Sequence, residues 1–394
     1  MSATHALQSN ASTSTNLYLS FDLGWTSWTL AFSTGIAQKP RLRTMAARDL
    51  DALRREIVLA RQRFNLPEDA PVVSCYEAGR DGFWLHRFLT NEHIHNLVVD
   101  AASIEVNRRA RRAKSDALDV GKLLVMLMRY HSGETTVWSV VRVPSVADED
   151  LRQPHRELIA LKRERTEHSN RIKGLLAFVG LDIVVDDHVQ DRLGELRLWD
   201  GSPLPEALRD RVVREHERWR LVDRQVRDRE NAQRRAIRRD ETPQVEKIRS
   251  LMDLKAVGPI SATVFVREFF GWRQIKNRRE LASLAGLCPT PYASGASHRE
   301  QGISKAGNRR LRWMAVEIAW LWLRYQPNSA LSRWYERRFG QGNARARKVG
   351  IVALARKLLI ALWKYLDRGE VPDGAEFTPW VKKLNGRMPA VSSL

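Results

Sequence analysis

Apolar positions along the chain change spacing twice, and each change marks a different kind of structure. From Leu17, the runs LYLSFDLG, SWTLAFST and RLRTMAA alternate or are rich in β-formers, with turn-like breaks between them, which predicts three short strands. Asp49 to Phe64 carries apolar residues at helical spacing behind an Asp cap. PVVSCYEAG reads as a buried strand, DGFWLHRFLTNEH as a helix and HNLVVDAA as another strand. KSDALDVGKLLVMLMRYH reads as a helix with apolar Ala117, Leu118, Leu124, Leu127 and Met128. Three strands, a helix and then strand, helix, strand, helix predict an α/β sheet covered by helices over residues 17–147, behind a disordered tail over 1–16.

From about Asp148 the pattern becomes long, charged and helical, with breaks expected at Pro154 and Gly174. A loop with Pro203 and Pro205 leads into Glu206 to Asp240, which runs almost without breakers. There Leu208, Val212, Trp219, Val222, Val226 and Ile237 form one thin apolar stripe among charges. Two such segments joined by a loop predict a charged helical hairpin or coiled coil over 148–245. Residues 246–371 become compact and mainly α again: a helix, a tight Gly-Pro turn and a second helix come first. The segment LCPTPYASGASHREQGISKAGN reads as a loop before the Trp-rich helix RRLRWMAVEIAWLWLRY, and a further helix lies near GIVALARKLLIALWKYLDRG. In that Trp-rich helix, the spacing of seven between Trp313 and Trp320 predicts core packing. Residues 372–394 read as a turn-rich tail, and no repeat of fixed period emerges.

Composition narrows the function classes. The 394 residues include 66 Lys and Arg against 46 Asp and Glu, a formal net charge of +20, while 43% are hydrophobic. A chain that apolar folds, so the excess charge points to a polyanion, and nucleic acid is the commonest large one. The plain alternative is a basic protein that is merely soluble. No apolar stretch has the length of a membrane span, and the first sixteen residues lack the basic start and apolar run of a signal peptide. Cys75 and Cys288 are too few for a disulfide framework or a cysteine zinc site, so a reducing cytoplasm is expected.

The candidate chemistry is acidic in the first domain. Asp22 and Glu77 each end an apolar run just before or near a glycine, which predicts two carboxylates converging on one edge of a sheet. Asp116 and Asp119, spaced by three, share a helix face, an arrangement like charges resist unless a cation lies between them. A helix-start role for Asp116 is the plainer reading. Four such oxygen donors suit Mg²⁺ or Mn²⁺, and two ions can stabilise the attacking and leaving oxygens of a phosphodiester. Arg108, Arg109, Arg111, Arg112 and Lys114 crowd upstream as a phosphate-binding ramp or a solvated face. DLGWTS also fits the D-x-G-x-T phosphate hairpin of actin-like ATPases, but the second Asp-Gly loop and adenosine site of that fold are not found.

A second centre lies in PYASGASHREQGISKAGNRRLRW. It combines Ser294, Ser297 and Ser304 with Gly295, Gly302 and Gly307 and with Arg299, Lys305, Arg309, Arg310 and Arg312, a mixture that lets backbone and cations hold a phosphate. For any single serine, a cap or turn role is the simpler reading. LKAVGPISA resembles a helix-hairpin-helix turn, or a tight turn between core helices. His86, His93, His95 and His131 are too scattered for a zinc site.

Asp22, the YEAG glutamate, KSDALD and the late S-G-x-x-x-R-x-x-G-I-S-K-x-G-N-x-x-L-R together resemble the DEDD insertion-sequence transposases, relatives of the Piv DNA invertase, from about Leu17 to about Leu366. The resemblance implies a RuvC-like (RNase H-like) α/β N-terminal domain, a coiled-coil middle and a mainly α transposase domain. It implies that Asp22, Glu77, Asp116 and Asp119 hold Mg²⁺ or Mn²⁺, and that Ser294 is a nucleophile forming a phosphoserine link with DNA. Donor and target DNA, a structured non-coding bridge RNA and a second copy of the chain, as a dimer or tetramer, are the implied partners, in a bacterial nucleoid. Three positions depart from the family: Trp25 stands where His or Lys is frequent, Val120 where Ala is common, and SGAS replaces a two-glycine loop, which leaves Ser297 as a rival nucleophile. A RuvC-like Holliday-junction nuclease and a non-catalytic nucleic-acid-binding protein are the alternatives.

Overall fold

The computed structural model describes residues 15–104, 116–294 and 297–385, and the chain divides into two compact units at Val143/Pro144.

The first unit is a five-stranded mixed sheet. Strands β1 (Leu17–Leu23), β2 (Ser27–Ser33) and β3 (Arg41–Ala46) form an antiparallel meander, and helix α1 (Leu50–Arg63) follows, capped by Asp49, which accepts from the Ala52 amide at 2.8 Å. Next come β4 (Val72–Glu77), α2 (Trp84–Asn91), β5 (His95–Val99) and α3 (Asp116–His131). The sheet order is β3-β2-β1-β4-β5, with β1, β4 and β5 parallel. Strand alternation sends Leu17, Leu19, Phe21, Trp28, Leu30 and Phe32 to one face, where they pack with Leu53 and Ile57 of α1 and Leu85 and Leu89 of α2. The opposite face meets α3: Val73, Cys75 and Val99 pack on Leu123, Met126 and Leu127, and Ala31 packs on Val120 and Leu124. With both faces covered, β1 and β4 are almost continuously apolar until near their ends, where the carboxylates stand. Between β1 and β2, a Cβ on Gly24 would lie 2.4 Å from the Ser27 carbonyl oxygen, so the tight turn needs a residue without a side chain.

The second unit is helical apart from one hairpin. After α4 (Val146–Asp150) come α5 (Gln153–Ala177), the short α6 (Val189–Leu193) and α7 (Glu206–Arg239). Pro154 does not break the first long helix but begins it, since a first-turn residue has no amide partner to lose, and Gly174 lies within the same helix. Ion pairs from Lys162 to Glu230, Arg165 to Asp223 and Arg171 to Glu215 descend α7 as they ascend α5, so the two helices are antiparallel. Val212, Trp219, Val222, Val226 and Ile237 are buried along α7, and Leu208 is partly so. Near the open end of this pair, Leu158, Leu161, Val222 and Val226 join the core of the following bundle.

That bundle comprises α8 (Pro243–Asp253), α9 (Pro259–Phe265), a π-helical turn over Val266–Phe270, α10 (Arg278–Leu284), β6 (Pro289–Ser294), β7 (Ser297–Ile303), α11 (Arg309–Tyr325), α12 (Ala330–Tyr335), a second π-helical turn over Glu336–Gly340, α13 (Ala344–Arg368) and α14 (Trp380–Asn385). Two expectations change here. The segment read as a loop is an antiparallel hairpin, hidden in sequence because its strands are polar and proline-bearing and show no two-residue apolar alternation. Trp313 and Trp320 do share a helix face, but it is the exposed one. The buried stripe of α11 is Leu311, Met314, Ala315, Ile318, Ala319 and Trp322, and the Trp322 indole donates to Ser329 Oγ at 2.9 Å. Residues beyond Pro372 also pack: the Thr378 and Trp380 amides donate to the backbone and side chain of Asp253, and Leu384 is buried.

Candidate functional site

The sheet of the first unit brings two of the candidate acids together. Parallel pairing of β1 with β4 sets Phe21 opposite Tyr76, so Asp22 and Glu77 are the next residues on adjacent strands. Both follow the alternation of Ser20 and Cys75, which face α3: Ser20 Oγ donates to the Val120 carbonyl at 2.8 Å, and Cys75 Sγ lies 3.9 Å from the Leu123 carbonyl oxygen. Asp22 is half-buried and Glu77 exposed. Further down β1, Tyr18 Oη meets His131 Nδ1 at 2.9 Å at the far end of α3. The helix therefore begins at the end of the sheet that carries Asp22 and Glu77, and its first turn contains Asp116 and Asp119.

Asp119 is half-buried and its Oδ1 lies 3.3 Å from Lys122 Nζ, one turn along the same helix. The Asp116 side chain lies outside the described residues, as do Arg108, Arg109, Arg111, Arg112 and Lys114 entirely. Among the described residues no three His, Cys, Asp or Glu side chains are grouped as a metal site. The candidate acids described at this edge, Asp22, Glu77 and Asp119, offer carboxylate oxygens, which a hard divalent cation prefers over softer ligands.

Beside this edge, the exposed Trp25 is flanked by two guanidiniums, Arg48 at 4.7 Å and Arg80 at 4.9 Å from the ring centre, and both arginines pair with Asp81. His86 is taken up by Asn96, whose Nδ2 is 3.0 Å from His86 Nδ1.

The serine-rich segment is the hairpin of the second unit. Ser294 on β6 faces Ser297 on β7 as the last pair before the turn, so the two rival nucleophiles stand opposite each other at the tip. Their side chains, and that of Arg299, lie outside the described residues. The base of the hairpin is tightly built. The Ser304 amide donates to Cys288 O at 2.8 Å, Lys305 N to Gly286 O at 3.2 Å and Asn308 N to Leu284 O at 2.8 Å. Gly286 has φ +66°, and a Cβ there would lie 1.9 Å from the Ala306 carbonyl oxygen.

The basic residues around the hairpin divide by role. Lys305, Arg309 and Arg310 are exposed. Arg312 instead turns inward, with Nη1 donating to the carbonyls of Ala285 at 3.1 Å and Ala306 at 3.2 Å, and its partial burial lowers its pKa. The LKAVGPISA turn is a packing turn: every residue of α9 is buried, and the Gly258 amide is taken by Ser261 Oγ at 3.0 Å.

Sequence reasoning missed the most heavily partnered acid near this hairpin, Glu268. It sits in the π-helical turn with its side chain fully buried. Arg156 grips both its oxygens, Nε to Oε1 at 2.7 Å and Nη2 to Oε2 at 2.8 Å, His155 Nε2 donates to Oε1 at 3.0 Å, and Asn308 Nδ2 donates to Oε2 at 3.2 Å. Burial pushes its pKa up, but the hydrogen bonds from Arg156 and His155 outweigh that and hold the carboxyl well below the usual range. The one signal in the sequence is a lone acid inside the apolar run VFVREFF.

Comparison with known proteins gives this arrangement a context. A family model described as the Transposase IS116/IS110/IS902 family matches residues 248–349, the stretch that holds the hairpin. The chain is 40% identical over 378 residues to the protein named Putative transposase y4rJ of Sinorhizobium fredii, covering 91% of this chain and 94% of that one. It is 27% identical over 220 residues to the Transposase for insertion sequence element IS1328 of Yersinia enterocolitica, covering 55% of this chain and 63% of that one. Among the described residues no helix is long and apolar enough to cross a membrane.

Proposed function

The chain belongs to the IS116/IS110/IS902 family of transposases, and from that premise we propose that it cleaves and rejoins DNA strands through a covalent phosphoserine intermediate. The observation that carries the catalytic part is the placement of Asp22 and Glu77 on one sheet face at neighbouring strand ends, with the acidic first turn of α3 at the same edge. Such an edge, in a RuvC-like domain, would hold Mg²⁺ or Mn²⁺ through Asp22, Glu77, Asp116 and Asp119. When bound, the ion supplies neutralisation of charge on the phosphate oxygens.

Ser294 is the nucleophile. Its Oγ forms a bond to phosphorus, the bond from phosphorus to one bridging sugar oxygen breaks, and that oxygen takes up a proton as a free hydroxyl. The serine proton passes to solvent or a nearby base. The phosphoserine bond conserves the energy of the broken linkage, so a second strand's hydroxyl can attack phosphorus, restore a phosphodiester and return the proton to Ser294. Lys305, Arg309 and Arg310 hold phosphates beside the hairpin, whereas Arg312 serves its base. A structured bridge RNA selects donor and target DNA, and a homo-oligomer carries out the exchange.

The test is strand cleavage on DNA carrying the ends of the element, with RNA transcribed from the element's non-coding stretch present. Wild-type protein cuts with Mg²⁺ and not with excess chelator, and Asp22→Asn abolishes cutting while retaining DNA binding. Unaltered cutting by Asp22→Asn overturns the acidic site. Cutting that leaves no protein on the DNA marks a hydrolytic nuclease instead.

A further inference from the structure

We propose that Glu268 is a positioning residue for the serine hairpin: it fixes the hairpin base to helix α5 through Asn308 on one side and through Arg156 and His155 on the other. The inference rests on the reading of Ser294 as the nucleophile for its catalytic consequence, and on geometry alone for the coupling.

Asn308 is the joint. Its Oδ1 caps α11 by accepting from the amides of Arg310 at 2.9 Å and Leu311 at 3.0 Å, and its own amide closes the hairpin base on Leu284 O. Its remaining polar group, Nδ2, donates to Glu268. One residue therefore starts the helix after β7 with its side-chain oxygen, closes the base with its backbone amide and reaches a buried carboxylate with its side-chain nitrogen.

Glu268 is equally committed. A carboxylate can only accept, so His155 must carry its proton on Nε2, and the bidentate Arg156 fixes the carboxylate plane. Both partners are consecutive residues in the first turns of α5, the helix that leads into the charged hairpin of the same unit. The π-helical turn supplies the direction. Its extra residue, closed by the Gly271 amide on Val266 O at 2.8 Å, interrupts α-helical spacing where Glu268 must point at both α5 and Asn308. A carboxylate kept ionised out of water is costly, and burying one merely for stability gains little over an apolar residue. Its use here is directional: three donors from two separate elements meet on two oxygens.

The arrangement makes the placement of the Ser294 tip depend on α5. Strain or movement of the long helical pair reaches the nucleophile through Arg156, Glu268 and Asn308.

Asn308→Ser isolates the coupling. Serine is as good a helix cap as asparagine, so α11 keeps its start, while the donor to Glu268 is lost. Hydrogen–deuterium exchange of the full chain is expected to show β6 and β7 amides exchanging at least tenfold faster, with α11 amides unchanged. On element-end DNA, covalent adduct formation at saturation is expected to slow at least tenfold with the half-saturating DNA concentration within twofold of wild type. Glu268→Gln is expected to behave alike, and if it fails to fold, Asn308→Ser decides. Unchanged hairpin exchange in Asn308→Ser overturns the proposal, as does loosening of α11 and the hairpin together, which would mark a cap effect. If wild type forms no adduct, the nucleophile reading fails, and the exchange pattern still decides the coupling.

Discussion

Replacing Glu215 by Gln should weaken the helical pair by an amount that depends on pH in a defined direction. Glu215 lies on α7 and is only 6% exposed, so water screens it little. Its oxygens accept from His168 Nδ1 at 2.6 Å, Arg171 Nη1 at 2.9 Å and Arg218 Nη1 at 2.9 Å. Burial alone would raise its pKa, but these three donors prevail and bring it from 4.5 to about 2. A carboxyl whose folded value lies below its unfolded one stabilises the fold fully above the unfolded value, and the contribution is lost as pH falls through the folded value. At about 1.4 kcal/mol per pH unit between the two, the contribution is on the order of 3 kcal/mol at neutral pH, present above pH 4.5 and gone near pH 2. Glu215→Gln should therefore lower the opening free energy of α7 by about that much at pH 7, and the gap to wild type should close on acidification. Urea titrations followed by far-ultraviolet dichroism at pH 7 and pH 3, with amide exchange at pH 7 to localise the loss to α5 and α7, measure it. A variant within about 0.5 kcal/mol of wild type at pH 7, or a gap that does not shrink in acid, would refute the reasoning.

Two further substitutions probe the parts that carry the candidate sites. Gly286→Ala puts a side chain at φ +66° against the Ala306 carbonyl oxygen, so a cost of at least about 1–2 kcal/mol and a displaced hairpin base are expected, read as lower thermal stability together with slower adduct formation. Trp28→Ala removes the largest fully buried side chain of the first unit, where the indole packs with Phe21 and Trp84, and should cost about 3–5 kcal/mol in denaturant unfolding of that unit while leaving the helical unit's transition in place.

Local signals were enough to read the sheet and its acids in the sequence. Asp22 and Glu77 each close an apolar run, and a strand covered on both faces gives a carboxylate only its ends to occupy. The stripe on α7 was legible for the same reason, because a thin apolar line among charges has one face to bury. The serine hairpin was not, since a two-stranded polar ribbon anchored by backbone hydrogen bonds at its base leaves no apolar period. Glu268 was hidden by distance: Arg156 lies 112 positions earlier and Asn308 forty later, and no local pattern announces a partner brought in by folding. Arg312 shows another long-range pairing that no local pattern announces, a cation in a basic cluster whose Nη1 is taken by two backbone carbonyls.

The most direct test of the central claim is the identity of the residue joined to DNA. Wild-type protein is incubated with Mg²⁺, RNA transcribed from the element's non-coding stretch and an element-end substrate nicked so that rejoining is blocked, then digested and sequenced by mass spectrometry. The account predicts a nucleotide adduct on the Ser294 hydroxyl, absent in Ser294→Ala and in Asp22→Asn. An adduct on Ser297 that persists in Ser294→Ala, or cleaved DNA with no protein attached, would contradict it.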